Sequence, residues 1–481
     1  MVVGAGVCGA LVARELARAG REVTLLERGA WVSHPDQLEH GAHGGPPATA
    51  QPNHEGHPSS RPYPWTYVYG VGGSTLAWAG VTPRFDHSDF RIRSEFGVGR
   101  DWPISYEDLE PYYAQAEREL AVAGDGEGLV PHPFSPTDRL IAPYLPPYEA
   151  LRQARPTRSV GGRPACTGLD RCEMCPIDAR YSGLHTVSAA LAERQGLQLR
   201  PETAVTRLHS TAGRVTGLDC VSSRGDRSRL SANTVVLAAG GIENPAVLLR
   251  SGLDGPDVGR WLSDHEHRIL ELELDVSAGH GHGATPATGM SRLYTDAATR
   301  SDRGAVVLLP VDPGIHVTVE LLEGLVSGER GTQLRERLTE RFDKTLVLDL
   351  TGEDLPRADR FMELSPTKDG LGIPLNRIAF PPDSAYLNDA FDHVTTDLPH
   401  RLAPLGARMG RSFPRAGGAH ILGTCFMGES DGVVDAHMRH HEIANLYVAG
   451  GSAFPTCAAV HPTLTIAALA LRLGQHLASA T

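Results

Sequence analysis

Val2-Val3-Gly4-Ala5-Gly6-Val7-Cys8-Gly9 is the stretch that decides the fold of this chain. The apolar pair predicts a strand, and glycines spaced as G-x-G-x-x-G predict a tight turn into a helix. Gly4 allows the turn, Gly6 lets the backbone approach a pyrophosphate, and Gly9 lets helix and strand pack closely. A second apolar strand at 23–26 is followed by Glu27, whose carboxylate suits ribose hydroxyls. The pattern predicts a dinucleotide-binding α/β unit.

This fingerprint is found once, and more than 400 residues follow it. The motif itself fits both flavin and nicotinamide dinucleotides. A single copy followed by so much chain favours a flavoprotein that keeps its cofactor over a nicotinamide dehydrogenase. The length of 481 residues predicts two structural units and is compatible with their interleaving.

Composition and charge restrict the partners. The chain is 41% apolar and 21% charged, as in ordinary globular proteins, and its formal net charge is −12. That charge argues against nucleic acid or an anionic membrane as a partner and is compatible with a cationic substrate. Neither a leader pattern nor an apolar run of about 18 residues is present, so we expect a cytoplasmic protein without membrane contact.

Patterns of apolar and turn-forming residues predict the secondary structure of the rest of the chain. Residues 33–64 are rich in Pro, Gly and His and are predicted to form a surface loop. Residues 198–222 and 303–351 alternate as strands, the latter range with one charged helix. Residues 234–253 and 445–477 each repeat the order of strand, glycine turn and helix.

Further segments resemble the glucose–methanol–choline (GMC) oxidoreductase family. They are GVGGSTLAWAG at 70–80, DWPIS with LEPYY at 101–113, VVLAAGGIENPAVLLRSG at 235–252, and HILGTCFMG at 420–428 followed by NLYVAGGSAFPT at 445–456. The segment at 101–113 resembles the sugar-oxidising branch of that family. With the fingerprint, these segments stand in the family's order over nearly the whole chain.

The resemblance implies the fold and its division. We expect an α/β protein in which a Rossmann-like FAD-binding domain is interleaved with an α+β substrate-binding domain, an antiparallel sheet flanked by helices. The FAD-binding domain would comprise 1–32, 66–100, 198–262 and 430–481. The substrate-binding domain and its cap loops would comprise 101–197 and 263–429.

The resemblance also implies FAD as the cofactor. Some sugar oxidases of the family tether the flavin through a histidine, and Ala77 stands at the matching position, so non-covalent FAD is expected. The residues expected to bind it are Gly4, Gly6, Gly9, Glu27, Arg28, Gly72, Gly73, Ser74, Thr75, Trp78, Ala79, Gly80, Val205, Ala239, Gly240, Asn244, Gly450, Gly451, Pro462 and Thr463.

Two of the 22 histidines match the family's catalytic pair. His420 precedes the G-T-x-x-M-G stretch, where the family has its base, and His461 precedes a Pro-Thr pair. Histidine suits the base because its pKa lies near working pH. Pro462 favours the first helical position, so the last helix would point its free N–H groups at the flavin ring.

The cysteines leave an alternative open. Cys166, Cys172 and Cys175 are too few for a structural zinc site, and seven cysteines in so long a chain are no disulfide framework. Some membrane-linked sugar dehydrogenases of the family carry a similar cysteine-rich stretch, so an iron–sulfur cluster is the alternative interpretation. A substrate-domain loop with buried or paired thiols is favoured. Other histidines, predicted to be solvated loop residues, are His280, His282, His437, His440 and His441.

The function expected from these residues is FAD-dependent oxidation of an alcohol group on a sugar-like substrate. An aminoglycoside or related secondary-metabolite sugar is the narrower expectation, and oxygen or another acceptor would take the electrons. The alternatives are a sugar dehydrogenase that passes electrons through an iron–sulfur cluster to a partner, and a flavin-binding relative without oxidation activity. The particular hydroxyl, the product and the oligomeric state are left open by the sequence.

Overall fold

The fold combines strands from distant parts of the chain with the helices that follow them. The computed structural model of the protein describes residues 1–42, 53–58, 63, 65–124, 129–168, 172–193, 196–279, 288–311, 314–382, 384–415 and 417–479. The strands are β1 (Val2–Val3), β2 (Val23–Leu26), β3 (His54–Gly56), β4 (Tyr148–Ala150), β5 (Leu197–Arg200), β6 (Thr203–Thr211), β7 (Arg214–Ser222), β8 (Arg227–Ser231), β9 (Val235–Leu237), β10 (His267–Glu273), β11 (Gly289–Tyr294), β12 (Val306–Pro310), β13 (Thr345–Gly352), β14 (Phe361–Lys368), β15 (Pro374–Ala379), β16 (Arg408–Arg415) and β17 (Leu446–Val448). The helices are α1 (Val7–Arg18), α2 (His34–Ala42), α3 (Ile92–Phe96), α4 (Tyr106–Leu120), α5 (Pro136–Ile141), α6 (Gly183–Ala192), α7 (Gly240–Arg250), α8 (Gly314–Val326), α9 (Gly331–Lys344), α10 (Ala385–Arg401) and α11 (Thr463–Ser479).

A parallel sheet in the order β17-β9-β1-β2-β5 carries the dinucleotide fingerprint. Its three adjacent strands β17, β9 and β1 are fully buried, which explains why they are continuous apolar runs and not alternating ones. Helix α1 follows β1 directly, and α11 and α6 pack against α1. The predicted Rossmann-like unit is confirmed.

A second sheet has six antiparallel strands in the order β16-β10-β13-β12-β11-β4. Side chains alternate across a strand, so the two faces of β13 differ. Leu346, Leu348 and Leu350 pack with Phe391 of α10 in one apolar cluster. Asp349 therefore lies on the opposite face. The predicted antiparallel sheet with a flanking helix is confirmed, and its polar face is available to the site.

The prediction of a surface loop at 33–64 is wrong in part. The range contains α2, and its strand β3 pairs with β15. Asn53 is only 2% exposed, and Tyr63 packs beside Trp65 in a small apolar cluster. Pairing with a strand more than 300 residues away buries a segment whose local composition is typical of loops.

The division into two domains stays a prediction. All strands of the parallel sheet except β5, which begins at Leu197, come from ranges assigned to the FAD-binding domain. However, α4 and α6, which were assigned to the substrate-binding domain, pack against α11 and α1 respectively. Across the described residues, no helix has both the length and the apolar content needed to cross a membrane.

Candidate active site

Four of the expected cofactor-binding residues lie at one edge of the parallel sheet. Gly4 follows β1, Glu27 follows β2, Ala239 follows β9 and Gly450 follows β17. These positions are the carboxyl ends of four strands, where ligands of open α/β sheets bind. The loop at 72–80 joins them through a bridge from Gly72 to Gly6.

Two glycine loops touch at this edge. A Cβ on Gly73 would lie 2.8 Å from the Cα of Gly6, and Gly73 has a φ of +56°. A Cβ on Gly9 would lie 1.9 Å from the Gly4 carbonyl oxygen, as expected for a glycine that lets helix and strand pack. Only glycine therefore allows these backbones to approach one another.

Glu27 is buried and held by backbone donors. Its Oε2 accepts a hydrogen bond from the Ala5 N–H (2.8 Å), and its Oε1 accepts from Gly29 (2.8 Å) and Gly70 (3.1 Å). Burial raises its pKa to about 7, although the three N–H donors oppose that shift. Oε1 has both lone pairs engaged, whereas Oε2 has one left, so Oε2 is the oxygen that can accept a ribose hydroxyl.

Other expected residues serve the architecture of this edge. Asn244 joins two loops: its Oδ1 accepts from Ala239 N–H (2.8 Å), and its Nδ2 donates to the Ala449 carbonyl (2.9 Å) and the Ser452 hydroxyl (2.8 Å). Trp78 donates to the Tyr181 carbonyl at 2.7 Å. Five further positions have these places: Arg28 binds Asp369, Ser74 accepts from Val68, Thr75 accepts from Gly183, Gly80 accepts from Ala154, and Val205 lies on β6 paired with Cys220.

A dinucleotide phosphate fits the start of α1. The helix has no side-chain cap at Gly6 and no acidic residue in its first turn. Its first N–H groups have no partner within the helix and are a ready site for an anion. With Glu27 beside them for a ribose, these residues would hold FAD. The glycines Gly4, Gly6 and Gly73 would provide the backbone cradle.

His420 and His461 come together as expected from their motifs. Their ring centroids lie 4.9 Å apart with the rings nearly perpendicular at 79°. Both side chains are partly buried. Helix α11 begins at Thr463, and Pro462 stands one residue before it and accepts the first hydrogen bond, from Ile466, at 2.9 Å. Pro462 is therefore the residue preceding the helix and not its first helical residue.

Two further histidines complete this group, and sequence reasoning missed both. Ser263 and Leu422 exchange backbone hydrogen bonds as an antiparallel pair, each at 3.0 Å. In that register His265 faces His420, and their Nδ1 atoms lie 2.8 Å apart. His267, two residues on and on the same side, bonds Asp349 at 2.8 Å. The alternation of His265 and His267 at the start of a strand was the available signal.

A carboxylate fixes the backbone around His420. Asp264 is fully buried, and its Oδ1 accepts from the His420 N–H at 2.9 Å. Its Oδ2 accepts from the Gly418 N–H and from the Tyr63 hydroxyl, the latter at 2.8 Å. Burial raises the pKa of Asp264 despite these donors. Three donors on one carboxylate hold the His420 segment in place.

Three histidines of this group, His461, His265 and His420, are held neutral. Burial lowers the pKa of His461 to about 4 and that of His265 to about 3, and neighbouring histidines add to the effect. Burial, with His265, His461, His267 and Arg415 nearby, holds the pKa of His420 well below its usual range. A neutral imidazole has a free lone pair, which a base needs.

This electrostatic arrangement predicts acid lability. An unfolded His461 takes up a proton near pH 6.5, whereas the folded one does so only near pH 4. Its contribution to the free energy of unfolding is therefore complete above pH 6.5 and is lost as the pH falls toward 4. Between pH 7 and pH 5 we expect a loss of at most about 2 kcal/mol from this residue.

Urea unfolding of wild type and His461→Asn at pH 7 and pH 5 checks this prediction. The difference between the two proteins reports the loss of His461 together with the smaller change that this loss makes in the pKa of His420 and His265. The variant should lose less stability on acidification than the wild type. Parallel losses in the two proteins would contradict the lowered pKa.

The described part of the cysteine stretch brings together no group of side chains that could hold a metal ion. Cys172 is buried, and Arg155 donates to its Sγ at 2.7 Å, while Cys175 Sγ accepts from the Ala179 N–H at 3.3 Å. Burial raises the pKa of Cys172 to about 11. All seven cysteines are free, and no three His, Cys, Asp or Glu side chains within the described ranges could hold a metal ion. The expected buried thiol is present at Cys172, but no thiols pair.

The prediction for the other histidines is wrong for one of them. His440 is buried at 6% exposure, and its Nδ1 accepts from the Glu442 N–H at 3.1 Å. His437 is exposed and stacks on His476 with 4.3 Å between ring centroids. His280 and His282 lie outside the described residues.

Comparison with known proteins identifies the family. The GMC oxidoreductase profiles match residues 1–267 and 404–470. Fructose dehydrogenase large subunit of Gluconobacter japonicus is 29% identical, covering 98% of this chain and 96% of that protein. The 6'''-hydroxyparomomycin C oxidase of Streptomyces lividus is also 29% identical, covering 99% and 91%. Pyridoxine 4-oxidase from Mesorbium loti has the same fold, with a TM-score of 0.67 at 20% identity over 99% of this chain and 98% of that one. The chain therefore belongs to the GMC oxidoreductase family and is an FAD-dependent oxidoreductase.

Proposed function

We propose that this enzyme oxidises an alcohol group of a sugar-like substrate at the histidine pair, with His420 as the base. The observation that carries the proposal is the pair itself: two neutral imidazoles from separate loops, 4.9 Å apart between ring centroids. FAD, when bound, would supply the two-electron oxidation of the carbinol carbon. The protein's task is to hold the hydroxyl and to accept its proton.

His420 and His461 divide that task. His420 takes the hydroxyl proton on its ring nitrogen, and the electron pair left on oxygen forms the carbonyl. His461 holds the hydroxyl in place. Its Nδ1 is buried and has no hydrogen-bond partner among the described residues. A buried polar atom without a partner costs free energy, so a substrate hydroxyl that bonds it is favoured.

The cofactor in this proposal is held without a covalent bond. Ala77 occupies the position at which some family members attach the flavin, and a methyl side chain cannot form that bond. Acid precipitation should therefore release all of the flavin into the supernatant. Flavin that stays with the protein pellet would contradict non-covalent binding.

A cationic amino sugar is the substrate class that we favour. The net charge of −12 attracts a cation over a distance, and the similar enzyme of Streptomyces lividus is named for a paromomycin-type substrate. The test is anaerobic mixing of the FAD-loaded enzyme with an amino sugar and with its N-acetylated form, which keeps the hydroxyls and loses the charge.

The amino sugar should bleach the flavin absorbance faster than its N-acetylated form. The rate constant kcat/KM should also fall with added salt, because salt screens attraction between separated charges. Equal rates with both sugars at all salt concentrations would exclude the cationic class while leaving alcohol oxidation intact. Failure of every alcohol to bleach the flavin would contradict oxidation itself.

A dehydrogenase that passes electrons to a partner is the second candidate. Its support is the similarity to a protein named as the large subunit of a dehydrogenase, together with the stretch from Cys166 to Cys175. Iron in stoichiometric amounts in the purified protein, with no peroxide formed in air, would favour this candidate over an oxidase.

A further inference from the structure

His265 lies between a backbone carbonyl and the proposed base. Its Nε2 hydrogen-bonds to the carbonyl oxygen of Ala458, and its Nδ1 lies 2.8 Å from Nδ1 of His420. A carbonyl oxygen can only accept a hydrogen bond. Nε2 of His265 therefore carries a hydrogen.

His265 has only that one ring hydrogen. The side chain is fully buried, and His461, His267 and Arg415 place further positive or potentially positive groups around the site. Two carboxylates lie nearby: Asp349 is already bonded to His267 and Arg415, and Asp264 to two backbone N–H groups and the Tyr63 hydroxyl. Burial lowers the pKa of His265 to about 3, so the ring is neutral. With its hydrogen on Nε2, Nδ1 has a lone pair and accepts.

The tautomer of His265 determines the tautomer of His420. Since Nδ1 of His265 accepts, Nδ1 of His420 must donate in the 2.8 Å contact. A neutral His420 then has no hydrogen on Nε2. In a neutral imidazole, the hydrogen-bond partner of one ring nitrogen determines whether the other ring nitrogen carries the hydrogen.

We propose that the Ala458 carbonyl and His265 together hold His420 in the tautomer with hydrogen on Nδ1, which leaves the Nε2 lone pair for the substrate hydroxyl. His265 is thus a positioning residue, and it acts through His420. The inference deepens the proposed function and rests on it for the identity of the base. The hydroxyl proton goes to Nε2 of His420, giving a doubly protonated ring that still donates from Nδ1 to His265.

Asp264 complements this arrangement from the other side. It accepts from the backbone N–H of His420, not from the ring, so it fixes the position of the segment and leaves the tautomer to His265. His461 approaches His420 edge to face, with 4.9 Å between ring centroids. His265 is therefore the ring that bonds the His420 imidazole.

The test combines tautomer and rate. In FAD-loaded enzyme labelled with ¹⁵N-histidine, ¹H–¹⁵N correlation spectra report which ring nitrogen of His420 carries hydrogen, and His420→Gln assigns the signal. We expect hydrogen on Nδ1 in the wild type. His265→Leu removes the acceptor and should give a mixture of tautomers and lower kcat about 10²-fold or more, with little change in KM. His265→Asn has a similar shape and a carbonyl oxygen that accepts from His420, so it should restore much of both.

Two results would overturn the proposal: hydrogen on Nε2 of His420 in the wild type, or an unchanged tautomer and kcat in His265→Leu. The wild-type spectrum tests the tautomer of His420 even if the His265→Leu variant does not fold. It also needs no substrate. A different result would contradict the proposed function alone: flavin reduction at the full rate in a variant that lacks His420, while the wild-type His420 still carries its hydrogen on Nδ1.

Discussion

Replacing His420 by alanine is expected to leave the flavin absorbance in place and to slow its reduction by substrate about 10²–10⁴-fold. The side chain lies with His265, His267 and His461, and not in the glycine loops that would hold the cofactor. Its loss therefore removes the proton acceptor and spares FAD binding. Anaerobic stopped-flow mixing with saturating substrate measures the effect on the reducing step alone.

The matched control for this variant is His437→Ala. His437 is an exposed histidine that stacks on His476, away from the pair. It should reduce flavin at the wild-type rate. Added imidazole should raise the rate of His420→Ala, because a small base can enter the space left by the ring. A wild-type rate in His420→Ala without imidazole would remove the assignment of the base.

Replacing Gly73 by alanine is expected to abolish stable FAD binding. The new Cβ would meet the Gly6 Cα at 2.8 Å, and the residue has a φ of +56°, where a side chain is strained. Strain of about 1–2 kcal/mol adds to an overpacking cost of about 1–3 kcal/mol, and the two loops must separate. The ratio of flavin to protein after gel filtration measures the loss.

The variant Gly161→Ala separates backbone strain from the collision of the two glycine loops. Gly161 has the same φ of +56°, but a Cβ there would meet nothing within 4 Å. It therefore carries the backbone strain without the collision. We expect this variant to keep its flavin with a small loss of thermal stability. Equal flavin loss in both variants would mean that strain alone, and not the contact of the two glycine loops, governs binding.

Local patterns allowed much of the cofactor edge to be predicted. The fingerprint from Gly4 to Gly9, the acid at Glu27 and the strand–turn–helix at 234–253 depend on neighbours in sequence, so their chemistry could be inferred from spacing. His420 and His461 required a family resemblance, because nothing in their own surroundings distinguishes them from the other histidines.

The rest depends on contacts between distant segments. His265 faces His420 only because Ser263 pairs with Leu422, and no local period encodes that pairing. His267 meets Asp349 because β10 and β13 share a register in which His267 pairs with Thr351. Tyr63 reaches Asp264 from a stretch whose composition is typical of a loop. Cross-strand partners of this kind are invisible to a periodic pattern.

The order of strands in the parallel sheet has a consequence for how the protein is made. β1 holds the second and third residues of the chain, yet its neighbour β9 begins at Val235 and the next strand, β17, at Leu446. Ribosomes add about 5–20 residues per second, so the first strand waits tens of seconds for the last. During that interval the apolar faces of β1 and α1 lack the partners that later bury them. Newly made chains should therefore depend on chaperones, and cofactor capture should wait until β17 has been made.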